Sequence, residues 1–133
     1  MTNGFDFAIF CAGGEISQKF APIAVKKECI VIDNSSVFRM DNTVPLVVPE
    51  VNSIDILTHS GIIANPNCST IQAVVALKPL DIAYQIRRIV YSTYQSVSGA
   101  GQAGLNELIN TTIGLTPQKF SHPIFNNCLP QID

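Results

Sequence analysis

Short apolar runs and one amphipathic stretch alternate along the first 33 residues. The apolar run from Phe5 to Ala12 ends at Gly13-Gly14, which predicts a buried strand stopped by a tight turn. A second buried strand is predicted over Cys29–Asp33. The intervening segment Glu15–Glu28 has the periodicity of a helix, which Pro22 should break or kink. Its predicted apolar face carries four residues spaced i, i+4, i+7 and i+8: Ile16, Phe20, Ile23 and Ala24.

A strand, a helix and a second strand in this order predict a βαβ unit. Such units build parallel sheets that bind ligands at the carboxyl ends of the strands, where Asn34–Ser36 lies. Further short strands are predicted over Val44–Val48 and Gly61–Ala64, with a polar, helical stretch over Asn52–Thr58 between them. The first half of the chain therefore has the pattern of an α/β fold.

In the second half, Pro66 favours an extended conformation at Asn65, and the chain is nearly all apolar from Ser69 to Leu77. This pattern predicts a buried helix that begins close to Cys68. The β-branched segment Ile89–Val97 predicts another strand, and Ser98–Gly101 predicts a flexible turn. A final helix is predicted to have an apolar face formed by Leu105, Leu108, Ile109 and Thr112. The sharpest boundary in composition lies at Lys78–Asp81.

Composition restricts the classes of function. The chain has 133 residues, of which 47% are hydrophobic and 14% charged, so we expect a packed domain with apolar surface that a partner covers. The net charge of −2 comes from 8 basic and 10 acidic residues without runs. This distribution excludes a basic stripe for nucleic acid.

The four cysteines form neither a CxxC pair nor a zinc-binding spacing, so we predict no metal site and no disulfide framework. The N-terminus lacks the order of a signal peptide, and the longest apolar run is too short to span a bilayer. We therefore expect a soluble protein of the reducing cytoplasm, without a membrane partner.

Cys68 is the sharpest candidate for chemistry. The unpaired N–H groups and the positive end of the helix dipole stabilise a thiolate at a helix N-terminus, and the thiolate is the nucleophilic form of cysteine. The alternative interpretation is a small buried hydrophobe, which most free cysteines are. That structural interpretation is favoured for Cys11, Cys29 and Cys128, which lie in or beside apolar runs.

Other polar residues are weaker candidates when taken one at a time. Arg39 follows a polar turn, where a guanidinium can bind phosphate or carboxylate through two hydrogen bonds, although an exposed arginine is commoner. Gln95 carries a neutral amide that can orient an oxyanion. His59 and His122 are lone histidines beside loops. The glycines of 13–14 and 98–101 allow a nucleotide to approach the backbone, or they simply form turns.

Five motifs in fixed order resemble those of bacterial aspartate-semialdehyde dehydrogenases. They are Cys11-Ala-Gly-Gly14, Ile32-Asp-Asn-Ser-Ser36 with Phe38-Arg-Met40, Val47-Val-Pro-Glu-Val-Asn52, Asn65-Pro-Asn-Cys-Ser-Thr70 and Ser92-Thr-Tyr-Gln-Ser-Val-Ser-Gly-Ala-Gly101. The resemblance continues through Pro123–Asp133 and covers essentially the whole chain. Cys11 stands where this family usually has serine, and Cys128 where it usually has an aliphatic residue.

The resemblance implies an oxidoreductase that interconverts aspartate semialdehyde and aspartyl phosphate with NADP and inorganic phosphate, on the route to lysine, threonine, methionine and diaminopimelate. It implies that Cys68 is the nucleophile that carries an acyl-thioester. By the same resemblance, Gln95 holds the substrate, Arg39 binds phosphate with help from Asn67, and three residues contact NADP, namely Gly13, Ser98 and Gly99.

The implied fold is α/β: the C-terminal part of a Rossmann-type nucleotide-binding domain over residues 1–67, followed by the start of an α+β catalytic and dimerisation domain over residues 68–133. The Gly-rich phosphate loop that opens such a domain does not precede Phe5. The family's histidine base and substrate-binding arginine lie beyond the position of Asp133. We therefore expect an internal fragment that is inactive alone, of an enzyme that is a homodimer or homotetramer at full length.

Three alternatives remain open on the sequence. A reductase of N-acetylglutamyl phosphate also uses a cysteine after an Asn-Pro pair, although Asn67 and the Gln95 segment fit it less well. A Cys-His hydrolase would pair Cys68 with His59 or His122, which requires hydrogen-bond contact between thiol and imidazole. A non-catalytic fragment would only associate with another chain through its apolar surface.

Overall fold

The computed structural model describes residues 4–130, which form two compact units. One unit ends at Val90 and the other begins at Tyr91. Within residues 4–130, no helix combines the length and the apolar composition needed to cross a membrane. The predicted domain boundary between residues 67 and 68 stays a prediction.

A parallel sheet of three strands forms the centre of the first unit. The strands β1 (Phe7–Phe10), β2 (Ile30–Asp33) and β3 (Ile62–Ala64) lie side by side in chain order. The helix α1 (Gly14–Val25) connects β1 to β2, which confirms the predicted βαβ unit. The last residues of the three strands are level, because Phe10 pairs with Asp33 and Asp33 pairs with Ala64. The connections that leave these ends therefore share one edge of the sheet.

The predicted strand over Val44–Val48 is present only as a single bridge between Leu46 and Ala64. Its two hydrogen bonds run from Ala64 N to the Pro45 carbonyl, at 2.9 Å, and from Val47 N to the Ala64 carbonyl, at 3.0 Å. Proline has no N–H to donate, so the pairing cannot extend through Pro45 on the donor side. The strand prediction was therefore too long.

Asn52 holds the turn that follows this bridge. Its side-chain oxygen accepts from Val48 N at 2.8 Å, and its amide nitrogen donates to the Leu46 carbonyl at 3.0 Å. The turn leads into the short helix α2 (Pro49–Asn52) and a 3₁₀ helix over Ser53–Thr58. These two elements confirm the predicted helical stretch.

The burial of β1 and α1 differs from the prediction. β1 is an edge strand whose Phe7 and Ile9 are 63% and 69% exposed. In α1 the buried residues are Ser17 and Ala21, whereas the predicted apolar face is partly exposed. Asp33 explains this orientation, because its fully buried carboxylate accepts a hydrogen bond from the Ser17 hydroxyl. A buried carboxylate requires such partners, so the side of α1 that carries Ser17 and Ala21 faces the sheet.

Pro22 lies inside α1 and does not end the helix. The helix continues for three more residues, and Lys26 N donates to the Pro22 carbonyl at 3.1 Å. Of the predicted break or kink at this proline, the break was therefore wrong.

The helix α3 (Cys68–Tyr84) begins at Cys68, which confirms the predicted helix start close to this residue. It is not buried as predicted: none of its residues is buried, and Leu80 and Ile82 are 48% and 72% exposed. A helix that is apolar on all sides normally lies in the interior of a larger protein. The described residues alone do not cover α3.

The predicted strand over Ile89–Val97 is wrong. Residues 85–96 have no regular structure, and a 3₁₀ turn follows over Val97–Ala100. A β-branched segment forms a strand only beside another strand that accepts its hydrogen bonds, and the described residues after Ala64 contain no strand. The turn predicted over Ser98–Gly101 is confirmed.

The helix α4 (Gly101–Thr112) follows this turn and buries an unexpected face. The buried residues are Gly104, Glu107 and Thr111, while most of the predicted apolar face is exposed. The cause is local: the polar side chains of α4 bind the backbone of the segment that follows it. One Glu107 oxygen accepts from the backbone N–H groups of three consecutive residues, at 2.8, 3.0 and 3.2 Å: Gln118, Lys119 and Phe120.

We expect Glu107→Gln to loosen this segment in a pH-dependent manner. Burial raises the pKa of the Glu107 carboxyl, but the three backbone N–H groups and the Lys119 charge outweigh it and lower the pKa below the usual 4.5. A lowered pKa in the folded state means that the ionised group stabilises the fold above pH 4.5, and that this contribution disappears as the pH falls through the lowered value.

The measurement is amide hydrogen exchange of residues 118–120. Exchange should be faster in the variant than in the wild type near neutral pH, and the two should converge in acid. If the exchange rates of variant and wild type differed equally at all pH values, the ionised Glu107 carboxylate would not be what holds the segment.

Candidate active site

Cys68 is the first residue of α3, and Asn67 is the N-cap. The Asn67 side-chain oxygen accepts from Ser69 N at 2.9 Å, and the Asn67 carbonyl accepts from Ile71 N at 3.0 Å. Asparagine is among the best N-cap residues, so the sequence starts the helix at this point. The Cys68 side chain is exposed, with Sγ 4.0 Å from the Asn67 side-chain oxygen. An exposed thiol thus lies at the positive end of the dipole of a 17-residue helix.

The other three cysteines separate into two groups. Cys29 is buried, as predicted. Cys11 and Cys128 are exposed, so the prediction that they are core residues was wrong. Exposure alone therefore does not distinguish Cys68; its place at a helix start does.

Arg39 lies in the connection that leaves β2 and is half-buried. Its Nε donates to the Asn65 carbonyl at 2.9 Å, and its Nη2 donates to the Asn34 carbonyl at 3.0 Å. Asn34 and Asn65 are the residues that directly follow β2 and β3. The guanidinium is therefore anchored at the carboxyl edge of the sheet. One of its two partners, Asn65, lies three residues before the start of α3.

Gly13 follows β1 and precedes α1. Its φ of +94° lies in the region that favours glycine. The space where a Cβ would stand contains no atom within 4 Å. This open backbone turn at the sheet edge is compatible with the approach of a nicotinamide cofactor.

Asp33 and the two serines that bind it were not identified as functional by sequence reasoning. The carboxylate is fully buried, accepts from the Ser17 hydroxyl and accepts from the Ser35 hydroxyl at 2.6 Å. It ties the first turn of α1 to the end of β2 and so supports the Gly13 turn. An acidic residue closing an apolar strand was the signal in the sequence.

In the second unit, the candidate residues cluster around the 3₁₀ turn over Val97–Ala100. Ser96 caps this turn: its hydroxyl accepts from Ser98 N at 3.4 Å, and its carbonyl accepts from Gly99 N at 3.1 Å. Gly99 has open space where a Cβ would stand. Gln95 is half-buried and immediately precedes this cap.

The first unit brings four of the candidates to one edge. They are Gly13, Arg39 and Asn67, in connections that leave the carboxyl ends of the strands, and Cys68, which begins the helix after β3. The other three candidates, Gln95, Ser98 and Gly99, lie within five residues of one another in the second unit.

His59 does not support a Cys-His hydrolase. Its Nδ1 accepts from Gly61 N at 3.0 Å, just before β3 begins. Cys68 follows the opposite end of the same strand, so the length of β3 separates the two side chains. His122 belongs to the second unit. In residues 4–130, no group of three histidine, cysteine or acidic side chains is arranged to hold a metal ion.

Two family profiles match the chain in succession. Residues 1–59 match the NAD-binding domain of the semialdehyde dehydrogenases, and residues 77–133 match their dimerisation domain. The matched ranges leave out only the segment from 60 to 76, which contains Cys68.

Individual relatives are similar over nearly the whole chain. An aspartate-semialdehyde dehydrogenase of Bacillus subtilis is 49% identical over 98% of this chain, which corresponds to 42% of the relative. Aspartate-semialdehyde dehydrogenase 2 of Vibrio cholerae is 54% identical over 95% of the chain and 40% of the relative. The chain therefore spans about two fifths of the length of these relatives.

Solved structures agree with the sequence comparisons. The crystal structure of aspartate semialdehyde dehydrogenase II from Vibrio cholerae, complexed with ASA, matches with a TM-score of 0.81 at 52% identity. The match covers 96% of this chain and 40% of that one. The structure of a probable aspartate-semialdehyde dehydrogenase from Pseudomonas aeruginosa matches with a TM-score of 0.81 at 27% identity.

Proposed function

The chain belongs to the aspartate-semialdehyde dehydrogenase family, and from that premise we propose that the protein interconverts L-aspartate 4-semialdehyde and L-4-aspartyl phosphate with NADP and inorganic phosphate. The observation that carries this proposal is the position of Cys68, exposed at the capped start of α3. The relatives are named as dehydrogenases of an aldehyde, aspartate semialdehyde. A thiolate is a nucleophile that attacks aldehydes.

Cys68 acts as the nucleophile in this proposal. Its Sγ adds to the aldehyde carbon and forms a bond that converts the carbonyl into a thiohemiacetal. Loss of hydride from that carbon and of the hydroxyl proton to solvent then produces an acyl-thioester. Attack by a phosphate oxygen breaks the carbon–sulfur bond and releases the thiolate. Covalent attachment divides one difficult step into two easier ones. The positive end of the helix dipole favours the negative charge that develops on the sulfur as it departs.

Arg39 and Asn67 bind phosphate in this proposal. A guanidinium fixed to two backbone carbonyls already has a defined orientation, so little side-chain entropy is lost when the anion binds. Asn67 is adjacent to the thiol in sequence and its side-chain oxygen caps α3. Both side chains are thus held by the fold before phosphate arrives.

NADP is the proposed cofactor, and when bound it accepts the hydride. Gly13, Ser98 and Gly99 would lie against it, because the turns that contain the two glycines leave open space beside the backbone. Gln95 would hold the substrate through its neutral amide, which orients an oxygen without titrating.

We further propose that the active protein is a homodimer or homotetramer of the cytoplasm. The match to a dimerisation domain over residues 77–133 supports self-association. The exposed side chains Leu80 and Ile82 of α3 provide apolar surface for burial. Four free thiols fit a reducing compartment.

A segment exchange tests the proposed function. The stretch of Vibrio cholerae aspartate-semialdehyde dehydrogenase 2 that aligns with this chain is replaced by this chain, which is 54% identical to it. We expect the hybrid to convert aspartate semialdehyde with NADP and phosphate within about tenfold of the Vibrio enzyme. A folded hybrid without this activity would contradict the proposal, and a preference for N-acetylglutamate semialdehyde would favour the other reductase.

A further inference from the structure

The three residues that directly follow the parallel strands are joined side chain to side chain. They are Cys11 after β1, Asn34 after β2 and Asn65 after β3. The Asn34 amide nitrogen donates to Cys11 Sγ at 3.0 Å, and the Asn65 amide nitrogen donates to the Asn34 side-chain oxygen. The level ends of the strands bring these residues into line. The result is a continuous row of hydrogen-bonded side chains across the carboxyl edge of the sheet.

Arg39 donates hydrogen bonds to the backbone of two of these three residues, Asn34 and Asn65. Its Nε donates to the Asn65 carbonyl and its Nη2 to the Asn34 carbonyl, at 2.9 and 3.0 Å. Nε and Nη2 form one edge of the guanidinium plane. Because two carbonyls occupy that edge, an anion that binds two nitrogens in parallel must use the other edge, formed by Nη1 and Nη2.

We propose that Asn34 and Asn65 are positioning residues for phosphate binding, an inference that rests on the proposed role of Arg39. Their side-chain hydrogen bond fixes the spacing of the two carbonyls that hold the guanidinium. The fixed carbonyls aim the Nη1–Nη2 edge at the phosphate. Neither asparagine needs to touch the phosphate for this effect.

Asn65 also connects the hydrogen-bonded row to the segment that leads to Cys68. Asn65 N donates to the Asp33 carbonyl at 2.8 Å, and Asn65 begins the three-residue connection that ends at the N-cap of α3. Pro66 within this connection is buried and restricts the backbone. The guanidinium and Cys68 are therefore tied to one short, anchored piece of chain, which keeps the phosphate site in register with the nucleophile.

The test uses the 133-residue chain with ¹⁵N-labelled arginine and inorganic phosphate as the probe. Two quantities are measured by NMR: the hydrogen-exchange rate of the Arg39 Nε–H, and the phosphate concentration that half-saturates the shifts of its Nη groups. In Asn34→Ala and Asn65→Ala we expect exchange about fivefold faster and half-saturation at a severalfold higher phosphate concentration, the size of effect expected for one lost hydrogen bond.

Two further variants separate positioning from general damage. Asn34→Asp can still accept from the Asn65 amide, so it should keep the slow Nε–H exchange while its negative charge weakens phosphate binding. Asn106→Ala is the matched control, since it removes an exposed bond between Gln102 and Asn106 at 2.9 Å in the second unit. It should change neither quantity.

The outcomes distinguish this inference from the function on which it rests. If phosphate shifts the Arg39 signals but both alanine variants leave exchange and binding unchanged, the positioning role is overturned while the phosphate role survives. If phosphate does not shift the wild-type Arg39 signals, the phosphate role itself fails, and the inference fails with it. If Asn34→Asp accelerates Nε–H exchange as much as Asn34→Ala, the side-chain bridge does not hold the guanidinium.

Discussion

Replacing Cys68 by serine in the hybrid enzyme is expected to lower kcat/KM for aspartate semialdehyde by about 10³-fold or more, which is typical of the loss of a covalent nucleophile. Serine keeps the small polar side chain at the first position of α3, so the fold should be unchanged. A neutral hydroxyl is a much weaker nucleophile than a thiolate. Steady-state kinetics with NADP reduction as the signal measure the effect.

Cys128→Ser is the control for this experiment. Cys128 is also an exposed thiol, but it lies in the second unit and outside the proposed site. We expect the control to retain full kcat/KM. A similar loss in both variants, or a Cys68→Ser enzyme within tenfold of the parent, would show that the thiol at the start of α3 is not the nucleophile.

Gly61→Ala is expected to destabilise the first unit by about 3 kcal/mol, the sum of a positive-φ penalty and an overpacking penalty. Gly61 has a φ of +106°, and a Cβ there would lie 2.5 Å from Val25 Cγ1. Its carbonyl also accepts from Val31 N at 2.8 Å, so the backbone cannot move away without breaking the sheet. Urea unfolding followed by circular dichroism measures the change in the free energy of unfolding.

Gly14→Ala provides the matched substitution. Gly14 is the first residue of α1, its φ is not in the left-handed region, and a Cβ would make an ordinary contact with Val37 Cβ at 3.7 Å. Because alanine is the better helix former, we expect this variant to be neutral or slightly stabilised. Equal destabilisation by the two substitutions would rule out the close approach of Gly61 and Val25 as the cause.

The order of strands and helices in the first unit followed from local patterns. The end of the apolar run Phe5–Ala12 and the helix start at Cys68 are marked by residues whose preferences act within a few positions: a turn at Gly13, an N-cap at Asn67 and a restricted backbone at Pro66. The structure agrees at these places because no distant residue has to cooperate.

Burial was predicted poorly because it depends on partners. The periodicity of α1 indicated that Ile16 and Phe20 face the core, but the buried Asp33 binds Ser17 and turns the helix. In α4, Glu107 binds the backbone eleven to thirteen residues later, which no periodic pattern indicates. The segment Ile89–Val97 has the composition of a strand, and composition cannot show whether a neighbouring strand is present.

The candidate site divides in the same way. Cys68 and Gly13 could be chosen from local signals, because a helix start and a glycine turn are visible in the sequence. Asn34 could be placed at the carboxyl end of a strand, but its link to Asn65 and Arg39 could not be predicted, since these hydrogen bonds join residues between 5 and 31 positions apart. Only the level ends of parallel strands bring them together.

The most direct test of the central claim is to trap the covalent intermediate in the hybrid enzyme. Aspartate semialdehyde and NADP are supplied without phosphate, and the protein is digested in acid and examined by mass spectrometry. The account predicts an acyl group on the peptide that contains Cys68, on no other cysteine, and its release when phosphate is added. Acylation of Cys11 or Cys128 instead, or turnover without any acyl-enzyme, would contradict it.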